Sequence, residues 1–242
     1  MIRVGVSGAA GRMGRLVAQT VAEADGLELG GRYAPGHGFD DPSALAGCEV
    51  VVEFTRPEVV MGNLRRWRDF GCHVVVGTSG FDEDRLAGLA GWWGEDPPNC
   101  LICPNFSIGA VLMMGFAETA ARFFQGAEIV ELHHEGKADA PSGTALSTAQ
   151  RVGARLAGRE AGHSGGIVGV RGSRVSGVPV HSVRLPGLVA HQEVLFGNPG
   201  ELLTIRHDST DRASFLPGVL LAIRRVAELP GVTVGLEALL GL

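Results

Sequence analysis

The opening stretch, Ile2-Arg3-Val4-Gly5-Val6-Ser7-Gly8-Ala9-Ala10-Gly11-Arg12-Met13-Gly14, decides the fold. Its first half reads as a short buried strand, and the glycines that follow are spaced G-x-x-G-x-x-G. Beyond them Met13, Leu16, Val17 and Val21 recur at a helical period, and residues 27–33 read as a second strand. The order is strand, glycine turn, helix, strand. A glycine turn lets backbone approach a pyrophosphate, and a helix start supplies free N–H groups and the positive end of a dipole. In a chain with 37 Gly the triplet alone says little, and a purely structural turn is the alternative. Its place, after the first strand and at the opening of the first helix, is what points to a dinucleotide.

Working outward, Glu49 to Phe54 reads as a third strand ending at Thr55-Arg56-Pro57, where Pro57 suits the first turn of a helix over roughly 58–70. A strand over 73–77, a helix near 82–93 and a short strand at Cys100 to Cys103 follow. This alternation predicts an α/β domain over residues 1–104, a Rossmann-type doubly wound parallel sheet with helices on both faces. In such sheets ligands gather at the carboxyl ends of the strands. That nominates Phe54-Thr55-Arg56, Gly77-Thr78-Ser79 and Cys103-Pro104-Asn105-Phe106 to line a nicotinamide and its ribose, although each can also be a plain turn. The acid expected at the end of the second strand, for the ribose hydroxyl, is missing from Gly31-Arg32-Tyr33-Ala34-Pro35. Arg32 can pair with a 2′-phosphate, which leans toward NADPH. A solvated Arg32 with no cofactor contact is the other reading, and use of both NADH and NADPH stays open.

After Phe106 the texture changes. A helical stretch near 108–124 precedes an alternating strand over 128–133 and a helix beginning around Ser142. The segment 165–208 is rich in β-branched and turn residues, with strands expected over 180–185, 190–196 and 201–206. We expect an α+β domain with a mixed sheet over 105–209, serving substrate binding and oligomerisation. A helix near 212–227, with the tail over about 210–242, is apolar enough to return to the first domain.

The densest polar cluster runs from Glu131 to Ala145 and contains His133, His134, Lys137, Asp139, Ser142 and Thr144. Of 21 lysines and arginines in the chain, only Lys137 is a lysine. Coding bias toward Arg can leave one Lys by chance, yet an ammonium is compact and can give up its proton, whereas a guanidinium cannot. Adjacent histidines on a strand point to opposite faces, so His133 and His134 are not expected to share a metal, and no metal site is predicted. Pro141-Ser142-Gly143-Thr144 reads as a helix start with hydroxyls and free amides, which suits a carboxylate or phosphate. Ser142 capping its own helix is compatible with this.

Composition bounds the rest. With 242 residues, 45% of them hydrophobic, the chain can form one large domain or two modest ones. A net charge of −5 and the lack of any basic block argue against a nucleic-acid partner. The N-terminus lacks the layout of a secretory signal and no run is long and apolar enough to span a bilayer, so a cytoplasmic enzyme without a membrane partner is expected. Cys100 and Cys103 form a CxxC, but no second such motif or HxxxH follows. With Cys48 and Cys72 they read as reduced, mostly buried thiols.

These segments together resemble the 4-hydroxy-tetrahydrodipicolinate reductase family, also called dihydrodipicolinate reductase. The matching pieces are Gly8 to Gly14, Phe54 to Pro57, Val76 to Phe81, Asn105 to Gly109, His133 to Ala145, Ser182 to Gly187, and Val194 to Gly197 through Gly200-Glu201. They cover nearly the whole chain in order, and the His-His-x-x-Lys-x-Asp-Ala-Pro-Ser-Gly-Thr run is the most specific. The resemblance implies NAD(P)H-dependent reduction of 4-hydroxy-tetrahydrodipicolinate to tetrahydrodipicolinate in lysine and diaminopimelate synthesis. It implies His133 as the acid/base residue and Lys137 as the proton donor. It implies His134, Gly143 and Thr144 as the holders of a small dicarboxylate substrate, with Ser142 nearby. Gly8, Ala9, Ala10, Gly11, Arg12 and Met13, Gly77 to Ser79, and Cys103 to Phe106 would contact the cofactor. A homotetramer built through the substrate-domain sheets is also implied. The chain departs from the family at the missing ribose-binding acid and at Cys103-Pro104, where small residues are common. An amino-acid-type dehydrogenase and a cofactor-sensing protein without turnover are the alternatives, and a sensor would need neither His133, Lys137 nor the Ser-Gly-Thr start.

Overall fold

The computed structural model describes residues 1–156 and 169–242, which form two compact units, Met1–Phe106 with Phe215–Leu242, and Ser107–Ser214. The first unit opens with β1 (Ile2–Ser7), α1 (Arg12–Glu23) and β2 (Leu27–Tyr33). Val4, Gly5, Val6 and Ser7 of β1 are buried in succession, as a strand covered on both faces requires, and α1 turns Val17, Ala18 and Val21 to the core. A 3-10 turn at Pro42–Leu45 leads to β3 (Val50–Glu53), followed by α2 (Val60–Asp69), β4 (His73–Val76), α3 (Glu83–Trp93) and β5 (Cys100–Ile102). Asp82 caps α3 by accepting from the Arg85 N–H. Pro57 does not sit inside α2. It lies in the turn before it, where the Val59 and Val60 amides both donate to the Arg56 carbonyl.

The second unit begins at Ser107, whose hydroxyl caps α4 (Ile108–Ala120). The division falls after Phe106 and not after Pro104, because the Phe106 ring packs on Phe54, 5.5 Å between centroids, whereas Ser107 belongs to the helix it caps. The helix ends at Ala120, short of the expected 124. Next come β6 (Gly126–His133), α5 (Gly143–Leu156), β7 (Ser173–Val175), β8 (Val178–Arg184), β9 (Ala190–Asn198) and β10 (Glu201–Ser209). Residues 165–168 of the segment read as β-rich lie outside the described residues. The strands pair in the order β10-β9-β6-β8-β7, with β6 and β8 parallel and the other neighbours antiparallel. One face is dry: Ala127 and Ile129 of β6 join Val180, Val194 and Phe196 in a cluster with Ala117 and Ala121 of the α4 region and Ala145, Ala149 and Val152 of α5. The next inward position of β6 after Ala127 and Ile129 is Glu131, which is wholly buried.

The chain then returns to the first unit through a 3-10 turn (Arg212–Phe215), α6 (Leu216–Arg225), β11 (Val232–Val234) and α7 (Glu237–Leu240). The first sheet has the order β11-β5-β4-β3-β1-β2, every pair parallel. The sequence carries no signal for the sixth strand, β11, because three residues between Gly231 and Gly235 have no readable periodicity. The same holds for β7. Trp67, Trp93, Leu64 and Leu89 fill the core on the α2 and α3 side. From β1 the chain steps outward to β2 and later to β3 on the other side, so the strand order reverses between β1 and β3. Such a reversal opens a crevice at the carboxyl ends of the two strands.

Candidate functional site

In the first unit that crevice is bordered by the glycine turn. Gly8 has a φ of 80°, and a β-carbon there would stand 2.3 Å from the Phe54 carbonyl oxygen. A β-carbon on Gly14 would stand 2.1 Å from the Gly8 carbonyl oxygen. Only glycine therefore allows the turn to close onto its helix and onto the β3 loop. The Gly8 and Ala9 amides are held by the Tyr33 carbonyl at 2.8 and 3.2 Å. Helix α1 starts with Gly11 at its cap, with no side-chain acceptor there and no acid in its first turn. Neither a capping side chain nor an acid of its own therefore answers the leading amides of α1.

The three nominated loops converge. A β-carbon on Gly77 would stand 2.1 Å from the Phe54 ring and 2.8 Å from the Phe106 ring, so Gly77 lets the two aromatic rings close over β4. Several side chains in these loops are committed to structure. The Thr78 hydroxyl donates to the Glu53 carbonyl at 3.2 Å and accepts from the Thr55 amide at 3.0 Å. The Cys103 thiol donates to the Asn105 carbonyl, and burial pushes its pKa far above the usual thiol value. Ala9 is buried, and with Thr78 and Cys103 it has only backbone to offer a ligand. Ser79, Pro104, Arg12 and Gly11 are exposed, and Ala10, Met13 and Asn105 are half-buried. Arg32 is exposed and lies over the Phe39 ring at 5.8 Å. Sequence reasoning passed over Glu53, a fully buried acid at the end of β3. It accepts from the Thr55 hydroxyl, from Asn63 Nδ2 at 3.3 Å and from Trp67 Nε1 at 2.8 Å.

In the second unit the end of β6, the turn after it and the start of α5 come together. Glu131 Oε2 lies 2.5 Å from His133 Nδ1 and accepts from Arg184 Nη1 at 2.9 Å. Its Oε1 accepts from Arg184 Nη2 at 2.8 Å and from the Ser142 amide at 3.2 Å. Arg184 Nη2 also donates to the Asp139 carbonyl at 2.6 Å. Burial raises the Glu131 pKa, but hydrogen bonds from Arg184, Ser182 and His133 outweigh it and hold the carboxyl below its ordinary value. Burial drives the His133 pKa below the usual imidazole value; Glu131 pulls it back up, while Lys137 and Arg184 push it down. Lys137 Nζ donates to both Asp139 oxygens, at 2.7 and 2.9 Å, and that hydrogen bond is the main cause of a lowered Asp139 pKa.

His134 is exposed and lies just past the end of β6, where its Nδ1 stands 3.5 Å from the place of a β-carbon on Gly136. The Ser142 hydroxyl accepts from the Ala145 amide at 3.2 Å, so Ser142 does cap α5, and it is buried. Gly143 is exposed, with nothing within 4 Å of where a β-carbon would stand. The Thr144 carbonyl accepts from the Thr148 hydroxyl at 2.7 Å. Two cations, an imidazole and a helix start thus sit in one hydrogen-bonded network, an arrangement that suits an anionic ligand needing a proton. Sequence reasoning set Glu131 at the head of the cluster without giving it a role, and missed Arg184 as a member. The available signal was an acid at a core-facing position of an alternating strand, a place acids occupy only when paired. Among the described residues no group of three or more His, Cys, Asp or Glu is placed to hold a metal ion, and no helix is long and apolar enough to cross a membrane.

Two family models match the chain: dihydrodipicolinate reductase, N-terminus, over residues 2–106, and dihydrodipicolinate reductase, C-terminus, over residues 109–240. A 4-hydroxy-tetrahydrodipicolinate reductase of Mycobacterium sp. (strain KMS) is 53% identical over 248 residues, spanning 100% of both chains. The protein of the same name from Cutibacterium acnes is 54% identical over 250 residues, again across 100% of both. Among solved structures, a dipicolinate-bound dihydrodipicolinate reductase from Paenisporosarcina sp. TG-14 is similar with a TM-score of 0.87 and 36% identity, covering 98% of this chain and 99% of that one.

Proposed function

The chain belongs to the dihydrodipicolinate reductase family, and from that premise we propose that it uses a reduced nicotinamide cofactor to convert 4-hydroxy-tetrahydrodipicolinate to tetrahydrodipicolinate, a step of lysine and diaminopimelate synthesis. The observation that carries this reading is the network in which His133, Arg184 and the start of α5 share the buried Glu131 carboxylate, while Arg184 also holds the Asp139 carbonyl and Lys137 pairs with the Asp139 carboxylate. A relative solved with dipicolinate bound supports a small cyclic dicarboxylate as the ligand.

The cofactor fits the first unit, where the glycine turn leaves space that a β-carbon would fill. Gly8 to Met13 would hold its pyrophosphate through backbone amides, and the loops at Gly77 to Ser79 and Cys103 to Phe106 would border the nicotinamide and ribose. The 4-hydroxyl and a neighbouring ring hydrogen leave as water, which creates an unsaturated ring carbon conjugated with the imine, and the reduced nicotinamide, when bound, would supply a hydride to that carbon. The second unit does the rest. The amides of Gly143 and Thr144, with His134, grip one carboxylate and fix the ring's orientation. His133, held by Glu131, polarises the ring and exchanges protons with it. The Lys137 ammonium, steadied by Asp139, gives the proton that quenches the charge left on the ring.

Arg32, exposed at the end of β2 where the ribose-binding acid is missing, supports NADPH without excluding NADH. All four cysteines are unpaired and buried, which fits a reducing compartment, and we place the enzyme in the cytoplasm. We also propose a homotetramer assembled on the second unit's sheet; sedimentation velocity tests it, with a monomer as the contrary result. The test of the activity is steady-state oxidation of NADH and NADPH with substrate generated enzymatically in the cuvette. Substrate-dependent oxidation is expected, and oxidation only with simple amino or hydroxy acids, or none at all, would overturn the assignment.

A further inference from the structure

On the reading that the second unit holds the dicarboxylate, we propose that Glu131 is the positioning residue of that site: it fixes His133 as the Nδ1–H tautomer, turns Nε2 toward the ligand, and locks the imidazole in register with the Lys137 turn and the start of α5. The geometry leaves little alternative. An ionised carboxylate can only accept hydrogen bonds, and Glu131 is surrounded by donors. Arg184 takes both its oxygens in a fork, at 2.8 and 2.9 Å, and the Ser142 amide reaches one of them at 3.2 Å. His133 Nδ1, 2.5 Å away, must therefore carry its proton toward Glu131, which leaves Nε2 as the free acceptor of a neutral ring or the free donor of a charged one.

The same carboxylate sets two further distances. Through the Ser142 amide it anchors the first residue before α5, so the exposed amide of Gly143 keeps its place relative to the imidazole. Through Arg184, whose Nη2 also holds the Asp139 carbonyl, it anchors the turn that carries Lys137. Stability alone does not call for such a group. Glu131 continues an inward row that otherwise holds Ala127 and Ile129, and an apolar residue there would avoid burying a charge. The charged groups acting on His133 are Glu131 on its own strand, Arg184 on β8 and Lys137 on the turn, so removing the one negative charge leaves two positive ones.

The test uses the full chain selectively labelled with 15N-histidine. Two-bond 1H–15N spectra at pH 8 report the tautomer of each ring, and a His133→Gln sample assigns the resonance. A protonated Nδ1 and bare Nε2 are expected, with the Nε2 signal moving when pyridine-2,6-dicarboxylate is added. An Nε2–H tautomer, or an Nε2 signal that ignores the dicarboxylate, overturns the proposal even if the chain proves an active reductase. Glu131→Gln adds a second arm: the His133 titration should move to lower pH and kcat should fall at least tenfold, while KM for the nucleotide stays within twofold. Glu131→Asp should recover part of both. A His133 titration unmoved in Glu131→Gln contradicts the proposal. If that variant does not fold, the tautomer measured on the unaltered protein decides alone.

Discussion

The ligand-binding surfaces proposed for the two units are built by opposite means. In the first, the surface is backbone: Gly8, Gly14 and Gly77 are places where a β-carbon would strike other atoms, and the side chains of Thr78 and Cys103 are spent on holding loops together. In the second, the surface is charged side chains and a helix start gathered around one buried acid, Glu131. A backbone site tolerates changes in side-chain chemistry and fails on changes in shape. A side-chain site does the reverse. The contrast predicts which function each substitution should damage.

The largest effect belongs to the second unit. Lys137→Ala should lower kcat by roughly two or more powers of ten, the scale of a lost general acid, with nucleotide affinity unchanged. Steady-state kinetics alongside a fluorescence titration with NADPH checks both halves, and an unchanged kcat removes Lys137 from the mechanism. The mirror substitution in the first unit is Gly8→Ala. With a φ of 80° and a carbonyl 2.3 Å from the new carbon, it should cost about 1–3 kcal/mol of stability and weaken NADPH binding about tenfold or more. Its affinity for pyridine-2,6-dicarboxylate should not change. Parallel calorimetric titrations would sharpen the contrast if only one affinity moves in each variant, and break it if both move together.

Ser142→Ala separates a cap from a ligand. Loss of the bond to the Ala145 amide should cost about 1 kcal/mol in chemical unfolding. Dicarboxylate affinity should fall less than tenfold, because the amides remain. A smaller effect comes from pH. The pKa values of His133 in the second unit and His73 in the first are held below 6.5, in both cases chiefly by burial. A group protonated more readily unfolded than folded favours unfolding as pH falls, so thermal midpoints should decline as pH drops from about 6.5 toward the folded values. The lowered acids, Asp41, Glu131, Asp139 and Asp208, keep their contribution above about pH 5 and lose it only below, so they do not mask this window. The smallest effect expected is Arg32→Ala, which should reduce the preference for NADPH over NADH by less than tenfold, read from the ratio of kcat/KM values.

The same contrast explains how much could be read without a structure. The first sheet was legible because a strand, a glycine turn and a helix are written within Ile2 to Glu23, and spacing alone exposes them. The strand β11 was not, since its three residues acquire meaning only by pairing with Cys100 to Ile102 from far earlier in the chain. In the second unit His133, Lys137 and Ser142 could be suspected together because they are near neighbours in sequence. Arg184 could not, because it reaches Glu131 from 53 residues away, across the pairing of β6 with β8. Nor could Glu53, whose partners Asn63 and Trp67 arrive on a helix that folds back over its own strand. Local patterns disclose surfaces made of one segment, and hubs made of several appear only in the folded chain.

The central claim, reduction of a ring carbon by a bound nicotinamide, is tested most directly by following the hydrogen. With cofactor deuterated at the transferring position of the nicotinamide C4 and substrate generated in place, mass spectrometry of the product should show one deuterium gained. A product that carries none while the cofactor is oxidised, or a cofactor that is bound and never oxidised, would contradict the account.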